Sequence, residues 1–122
     1  MHELLIVQSV VTTVTEAIHD QFSEGIRSVR IRSVRLKVGA LSGVVEGALQ
    51  FGYEIAIEGT MLAGSQLVVV NLPVVIFCKQ CSELRQLEDV QSFRCPICNT
   101  PSGDIRQGRE LEIESVEVEE AA

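Results

Sequence analysis

Apolar side chains recur at helical spacing over residues 4 to 22, at Leu4, Val7, Val11, Val14, Ile18 and Phe22. Intervals of three and four put one apolar stripe on a helix. Gln8, Thr12, Glu16 and Asp20 fall on the opposite side, and His19 reads as a surface residue on that polar side. The β-branched Val and Thr content lowers intrinsic helix propensity, so packing of the stripe has to hold this helix. Gly25 is its expected stop.

From Ile26 the period changes. Residues 26–38 read as a strand containing a direct repeat, Ile-Arg-Ser-Val-Arg at 26–30 and again at 31–35. A repeat of odd length moves an alternating pattern to the other face. Val29 and Ile31 share one face, whereas Val34, Leu36 and Val38 share the other, which predicts a bulge or a long, partly protruding strand. Gly39 to Gly43 is a turn, with Ser42 as candidate N-cap of a second helix over roughly 44–58. Leu49, Tyr53 and Ala56 lie along one side of that helix. Gln66 to Leu72, with Val68, Val69 and Val70 in succession, suits a covered strand. Residues 109–119 form a last strand that also switches parity, from Leu111 and Ile113 to Val116 and Val118.

The expected fold is α/β, of the α+β kind: a small mixed three-stranded sheet with two helices and an inserted lobe whose two C-x-x-C pairs, Cys78/Cys81 and Cys95/Cys98, read as a zinc ribbon. Residues 1–76 and 105–122 would form the α/β domain, and 77–104 the lobe.

Composition narrows the function classes. The chain has 122 residues, 46% of them hydrophobic, enough for one modest core that gains from a metal staple. Its formal net charge of −7 argues against nucleic acid and anionic lipid surfaces as partners. No apolar run is long enough to span a bilayer, and Met-His-Glu-Leu-Leu lacks the features of a signal peptide. The cytoplasm is therefore the expected compartment. Thiols stay reduced there, so four cysteines point to a metal or to redox chemistry.

The cysteines are spaced as Cys78-Lys-Gln-Cys81, thirteen residues, then Cys95-Pro-Ile-Cys98. Each C-x-x-C is a tight turn that aims two sulfurs at one point, and two such knuckles give the tetrahedron that zinc accepts. Iron suits the same thiolates, and a pair of redox dithiols is the reading without metal. Four protein ligands close the site, so its role would be structural. The gap allows a short hairpin, and Asn99 tolerates the left-handed conformation often wanted after a knuckle. Zinc with four thiolates carries −2, and Lys79, Arg85 and Arg94 are close enough in sequence to offset it.

At the amino terminus the amine of Met1, the amide of His2 and its imidazole can close chelate rings around one ion. Such nitrogen-rich tetragonal coordination suits Ni(II) or Cu(II). Taken alone, the tripeptide reads first as solvated end residues, with Glu3 facing the positive end of a helix dipole.

The chain opens Met1-His2-Glu3-Leu4 and continues with Gln8-Ser9. It carries Arg35-Leu36-Lys37-Val38-Gly39-Ala40-Leu41-Ser42-Gly43, then the paired knuckles. It closes with Gly108-Arg109-Glu110-Leu111, Ile113, Val116 and Glu117. Over essentially its whole length, and in order, it resembles the HypA/HybF family of hydrogenase nickel-incorporation proteins. The resemblance implies a cytoplasmic nickel metallochaperone and not an enzyme. The α/β domain would be the nickel domain, with nickel held by Met1, His2 and Glu3. Zinc would be held by Cys78, Cys81, Cys95 and Cys98. Implied partners are the nickel-pathway GTPase of hydrogenase maturation, the hydrogenase large subunit and, in some members, urease maturation proteins; monomer and homodimer both fit. Family members recruit an acidic residue after the first strand. Glu46 is the nearest here but stays outside the ligand set, because family sequences often place Glu directly after the Gly-Val pair, where this chain has Val45. The repeat looks like five extra residues relative to the family's spacing. Some relatives keep a His beside the cysteines; this chain has none between Cys78 and Cys98. The competing function is a zinc-ribbon interaction module without a nickel role.

Overall fold

A computed structural model describes residues 2–21, 29–88 and 92–120. The element order is α1 (Glu3–Gln21), β1 (Val29–Gly39), α2 (Glu46–Ala56), β2 (Gln66–Leu72), β3 (Val74–Cys78), β4 (Glu83–Leu87), β5 (Ile105–Gln107) and β6 (Leu111–Glu120). Two three-stranded sheets result, in the orders β2-β1-β6 and β4-β3-β5. The expected mixed α/β class with a cysteine-bearing lobe holds. The lobe has a sheet of its own, because Pro73 interrupts the apolar run from Leu67 to Ile76 and starts a new strand. Phe22, Gly25 and the repeat's first three residues, 26–28, lie outside the described residues.

The chain divides into two compact units. The first comprises Met1–Leu36, Val44–Val69 and Ile113–Ala122; the second comprises Lys37–Gly43 and Val70–Glu112.

In the first unit α1 packs against α2. The buried line of α1 is Val7, Val10, Val14 and Ile18. This corrects the expected stripe by one position: Val10 is inside, Val11 is half-buried and Leu4 is 46% exposed. Spacings of three and four admit both lines, and only the facing helix decides between them. That helix comes close at Gly52, where a Cβ would lie 3.3 Å from Val7 Cγ2 and 3.6 Å from Leu4 Cα. Leu49 and Tyr53 of α2 are buried, as their spacing predicts. The Tyr53 hydroxyl meets Ser65 Oγ at 2.6 Å, so both buried hydroxyls have a partner. Burial raises the Tyr53 pKa, and the Ser65 bond opposes it.

Ser42 is not the N-cap of α2. The cap position is Val45, which has an extended backbone and no capping side chain. Its N–H instead donates to Glu3 Oε2 at 3.0 Å. A carboxylate from the start of α1 thus does what a capping side chain would do.

The parity switches read from the sequence are present in the burial of both strands. Ile31 is buried in β1, and so are Val34, Leu36 and Val38. On β6, Ile113, Val116 and Val118 are half-buried between exposed neighbours. The switches fall at matching positions, which keeps a row of ion pairs together. Arg32 Nη1 lies 3.3 Å from Glu119 and its Nε 3.7 Å from Glu117. Arg35 lies 3.5 Å from Glu114, and Lys37 lies 3.7 Å from Glu112. As numbers rise on β1 they fall on β6, the order of an antiparallel pair. These pairs are solvated, so each contributes little on its own. Their charges do keep an edge strand unattractive to stray strands.

The second unit is built on β3. It pairs antiparallel with β4, from Val74 opposite Leu87 to Cys78 opposite Glu83, and antiparallel with β5. Val74, Ile76 and Leu87 form its small core, joined by Leu41, Phe93 and Ile105. Gly39 and Gly108 stack backbone on backbone: Gly39 N–H donates to Glu110 O at 2.7 Å and Leu41 N–H to Gly108 O at 2.7 Å.

Candidate metal centre

The first knuckle begins where β3 ends. Cys78 is the last strand residue and is buried; residues 79–82 turn the chain into β4, with Cys81 half-buried in that turn. Ser82 takes φ 54°, a left-handed conformation that lets the turn close. The Cys81 N–H points at Cys78 Sγ, 3.5 Å away. The second knuckle repeats this plan. Cys95 is buried, the turn covers residues 96–98, and Asn99 takes φ 62°, as its position predicts. The Ile97 N–H points at Cys95 Sγ at 3.4 Å. Backbone bonds between Cys95 and Thr100 and between Asn99 and Cys95, both 2.9 Å, hold the turn.

Among the described residues of the thirteen-residue gap no hairpin forms. Its described part supplies β4, which pairs back onto β3, and residues 89–91 lie outside the described residues.

These turns bring four sulfurs together, all within 4.8 Å of one another. Cys78 and Cys98 Sγ are 3.5 Å apart, and Cys81 and Cys95 Sγ are 3.9 Å apart. A tetrahedron with Zn–S bonds of about 2.3 Å has sulfur–sulfur edges of about 3.8 Å, so the cluster is compatible with zinc. None of the four is in a disulfide.

The thiols do not ionise alike. The Cys98 N–H, followed by that of Ile97 and the Arg85 guanidinium, draws Cys95 down to about 6 against burial. The Thr100 hydroxyl, 3.2 Å from the sulfur, lowers Cys98. Arg85 also pulls on Cys81, but the neighbouring thiol of Cys98, burial and the thiols of Cys78 and Cys95 outweigh it and push Cys81 up to about 11. Sulfurs this close compete for negative charge, and a divalent cation among them reverses that competition.

Among the described residues the ligand cluster consists of the four cysteines and includes neither His2 nor Glu3. Met1 lies outside the described residues. His2 precedes α1, its carbonyl accepting the Ile6 N–H at 3.2 Å, and the residue is exposed. The N–H of Val45 and then Glu3's own N–H hold the Glu3 carboxyl below its usual range, with smaller help from the terminal amine and His2. Sequence reasoning did not find the Glu3–Val45 bond, which joins residues 42 positions apart. It also passed over Ser82; its place after Cys81, matching that of Asn99 after Cys98, was the available signal.

Residues 1–118 match the family described as hydrogenase/urease nickel incorporation, metallochaperone, hypA. A hydrogenase maturation factor HypA from Chloroflexus aurantiacus is 44% identical over 117 residues, covering 96% of this chain and 98% of that protein. A guanidine hydrolase-activating protein A from a Synechocystis species is 33% identical over 117 residues, covering 96% of this chain and 94% of that one. Among solved structures, one described as the solution structure of HypA protein superposes with a TM-score of 0.63 at 22% identity, covering 96% of this chain and 95% of the other. At that identity the likeness is one of fold.

Proposed function

The chain belongs to the HypA family of hydrogenase/urease nickel-incorporation metallochaperones, and from this premise we propose that it binds Ni(II) through Met1, His2 and Glu3 and hands the ion on during hydrogenase maturation, with a structural zinc ion held by Cys78, Cys81, Cys95 and Cys98. The contrast between the two ligand sets carries this reading. The cysteines lie at strand ends and tight turns, converging from two knuckles on one point. Such a closed tetrathiolate set retains its ion. His2 stands exposed ahead of the first helical turn, where a ligand can be exchanged with a partner.

The Glu3 carboxylate is already tied to Val45, so its part includes holding the amino-terminal segment against the start of α2. Nickel is cargo here, and no acid–base or nucleophilic chemistry is required. The unit with α1 and α2 carries the cargo and the cysteine-bearing unit carries the resident ion. The nickel-pathway GTPase and the hydrogenase large subunit are the corresponding partners. Hydrogenase is the proposed recipient because the relative named for its maturation is 44% identical, against 33% for the one named for a guanidine hydrolase.

Coordination by the terminal amine makes a sharp prediction. Two residues added ahead of Met1 convert the amine to an amide. The extended, zinc-loaded chain then loses the visible absorption of tetragonal nickel while keeping its zinc. An extended chain that binds nickel as tightly as the unextended one contradicts the assignment.

A further inference from the structure

We propose that Arg85 is a built-in counter-cation of the four-cysteine centre, a positioning residue whose guanidinium holds the sulfurs of Cys81 and Cys95 and slows loss of the metal. The proposal rests on the zinc assignment above and goes beyond the ligands themselves.

Several basic residues lie near the cysteines in sequence, and the structure separates them. Arg94 Nη1 donates to Asn99 O at 3.2 Å. Arg106 forks onto Asp104 at 2.7 and 2.9 Å and lies over the Phe77 ring. Lys79 is exposed. Arg85 is placed differently. It sits on β4 opposite Ile76, so its side chain leaves the sheet on the face that Ile76 shares with Cys78, and its charge acts on the thiols of both Cys81 and Cys95. It therefore reaches one cysteine of each knuckle.

Its Nε is buried and has no hydrogen-bond partner among the described residues. A buried guanidinium N–H left unpaired is costly, and alternation along a strand would as readily supply an apolar side chain there. A strong local anion offsets that cost. Zinc with four thiolates supplies one, at net −2, and a planar fork with several donors suits two sulfurs at once. Outer groups that hydrogen-bond to metal ligands fix their orientation and change metal retention by about 10- to 100-fold. The chain has no histidine between Cys78 and Cys98 to share that task.

The test uses the full chain loaded with zinc, comparing wild type, Arg85→Gln and Arg85→Lys. Zinc transfer to an excess of a chromophoric chelator gives the release rate. The sulfur-to-metal charge-transfer bands of the cobalt(II)-substituted proteins report directly on the thiolates. The expected result is release about tenfold or more faster in Arg85→Gln, with shifted cobalt bands, and substantial recovery of both in Arg85→Lys. Arg85→Gln with the wild-type rate and spectrum overturns the proposal, as does equal loss in the two variants, which would mark packing and not charge. If Arg85→Gln does not fold, Arg85→Lys decides alone: retention near wild type supports the role, and rapid loss overturns it. A wild-type chain that binds no zinc fails at the earlier step and takes this inference with it. Zinc-replete wild type with an indifferent Arg85→Gln refutes only the inference.

Discussion

Cys78→Ser abolishes stoichiometric zinc and unfolds the sheet that carries the cysteines. Cys78 is 1% exposed and is the last residue of β3, the strand on which both β4 and β5 pair. A serine hydroxyl does not replace a thiolate ligand. Structural zinc sites contribute about 10–16 kcal/mol of apparent binding free energy, while a whole domain is stable by only about 5–15 kcal/mol. Among the described residues the apolar core here is three buried side chains with three partly buried neighbours, too small to make up such a loss. The check is zinc content by elemental analysis together with amide hydrogen exchange. Exchange protection should vanish across Val74–Cys78, Glu83–Leu87 and Ile105–Gln107. It should persist in α1 and α2, whose buried residues include no cysteine. A Cys78→Ser chain with full zinc and wild-type protection refutes the structural role of the centre.

Gly39→Ala destabilises the protein by about 3 kcal/mol or more, the upper end of what overpacking costs. A Cβ at Gly39 would collide with the carbonyl of Gly108 and lie 2.7 Å from Arg109 N. Those are backbone atoms, so no side chain can swing aside. Gly108 cannot retreat freely either, because its own α-carbon faces Val74, where a Cβ would already meet Cγ2 at 3.2 Å. The two short backbone bonds at this crossing would stretch together. Gly47→Ala is the matched control: it lies within α2, nothing stands within 4 Å of a Cβ there, and the change should stabilise by about 0.5–1 kcal/mol. Urea unfolding of the three proteins checks both signs. A Gly39→Ala variant within about 1 kcal/mol of wild type contradicts the close crossing.

The features legible in the sequence were those fixed by short-range spacing. Two C-x-x-C turns determine where four sulfurs point, so the cluster follows from the residues alone. The helix over α1, the strand Gln66–Leu72 and the two parity switches are equally local signals. What escaped depends on which distant segment comes to lie alongside. Ser42 looks like an N-cap, yet α2 starts at Glu46 and its cap position takes its acceptor from Glu3. On α1 the spacing found Val7, Val14 and Ile18 but took Val11 for Val10, a choice that depends on what packs against the helix. Strand β3 was hidden because Val74 to Cys78 reads as a continuation of the valine run before Pro73. Arg85 was one of several basic residues near the cysteines, and only strand pairing puts it on the sheet face that carries Cys78. For the amino terminus, Met1, His2 and Glu3 have the right donors in the right order, but nothing in their spacing alone separates a nickel site from a solvated helix start. Membership of the family makes nickel the expected cargo; which residues hold it is the proposal tested next.

The most direct test of the nickel assignment is native mass spectrometry of untagged, zinc-loaded chain titrated with Ni(II), beside His2→Ala prepared in the same way. The account predicts one zinc and one nickel per wild-type chain, and one zinc but no nickel in the variant, with His19 and the cysteines unable to substitute. Equal nickel uptake by both chains, or nickel that displaces zinc from the cysteines and binds nowhere else, contradicts it and leaves a zinc-ribbon interaction module as the better description.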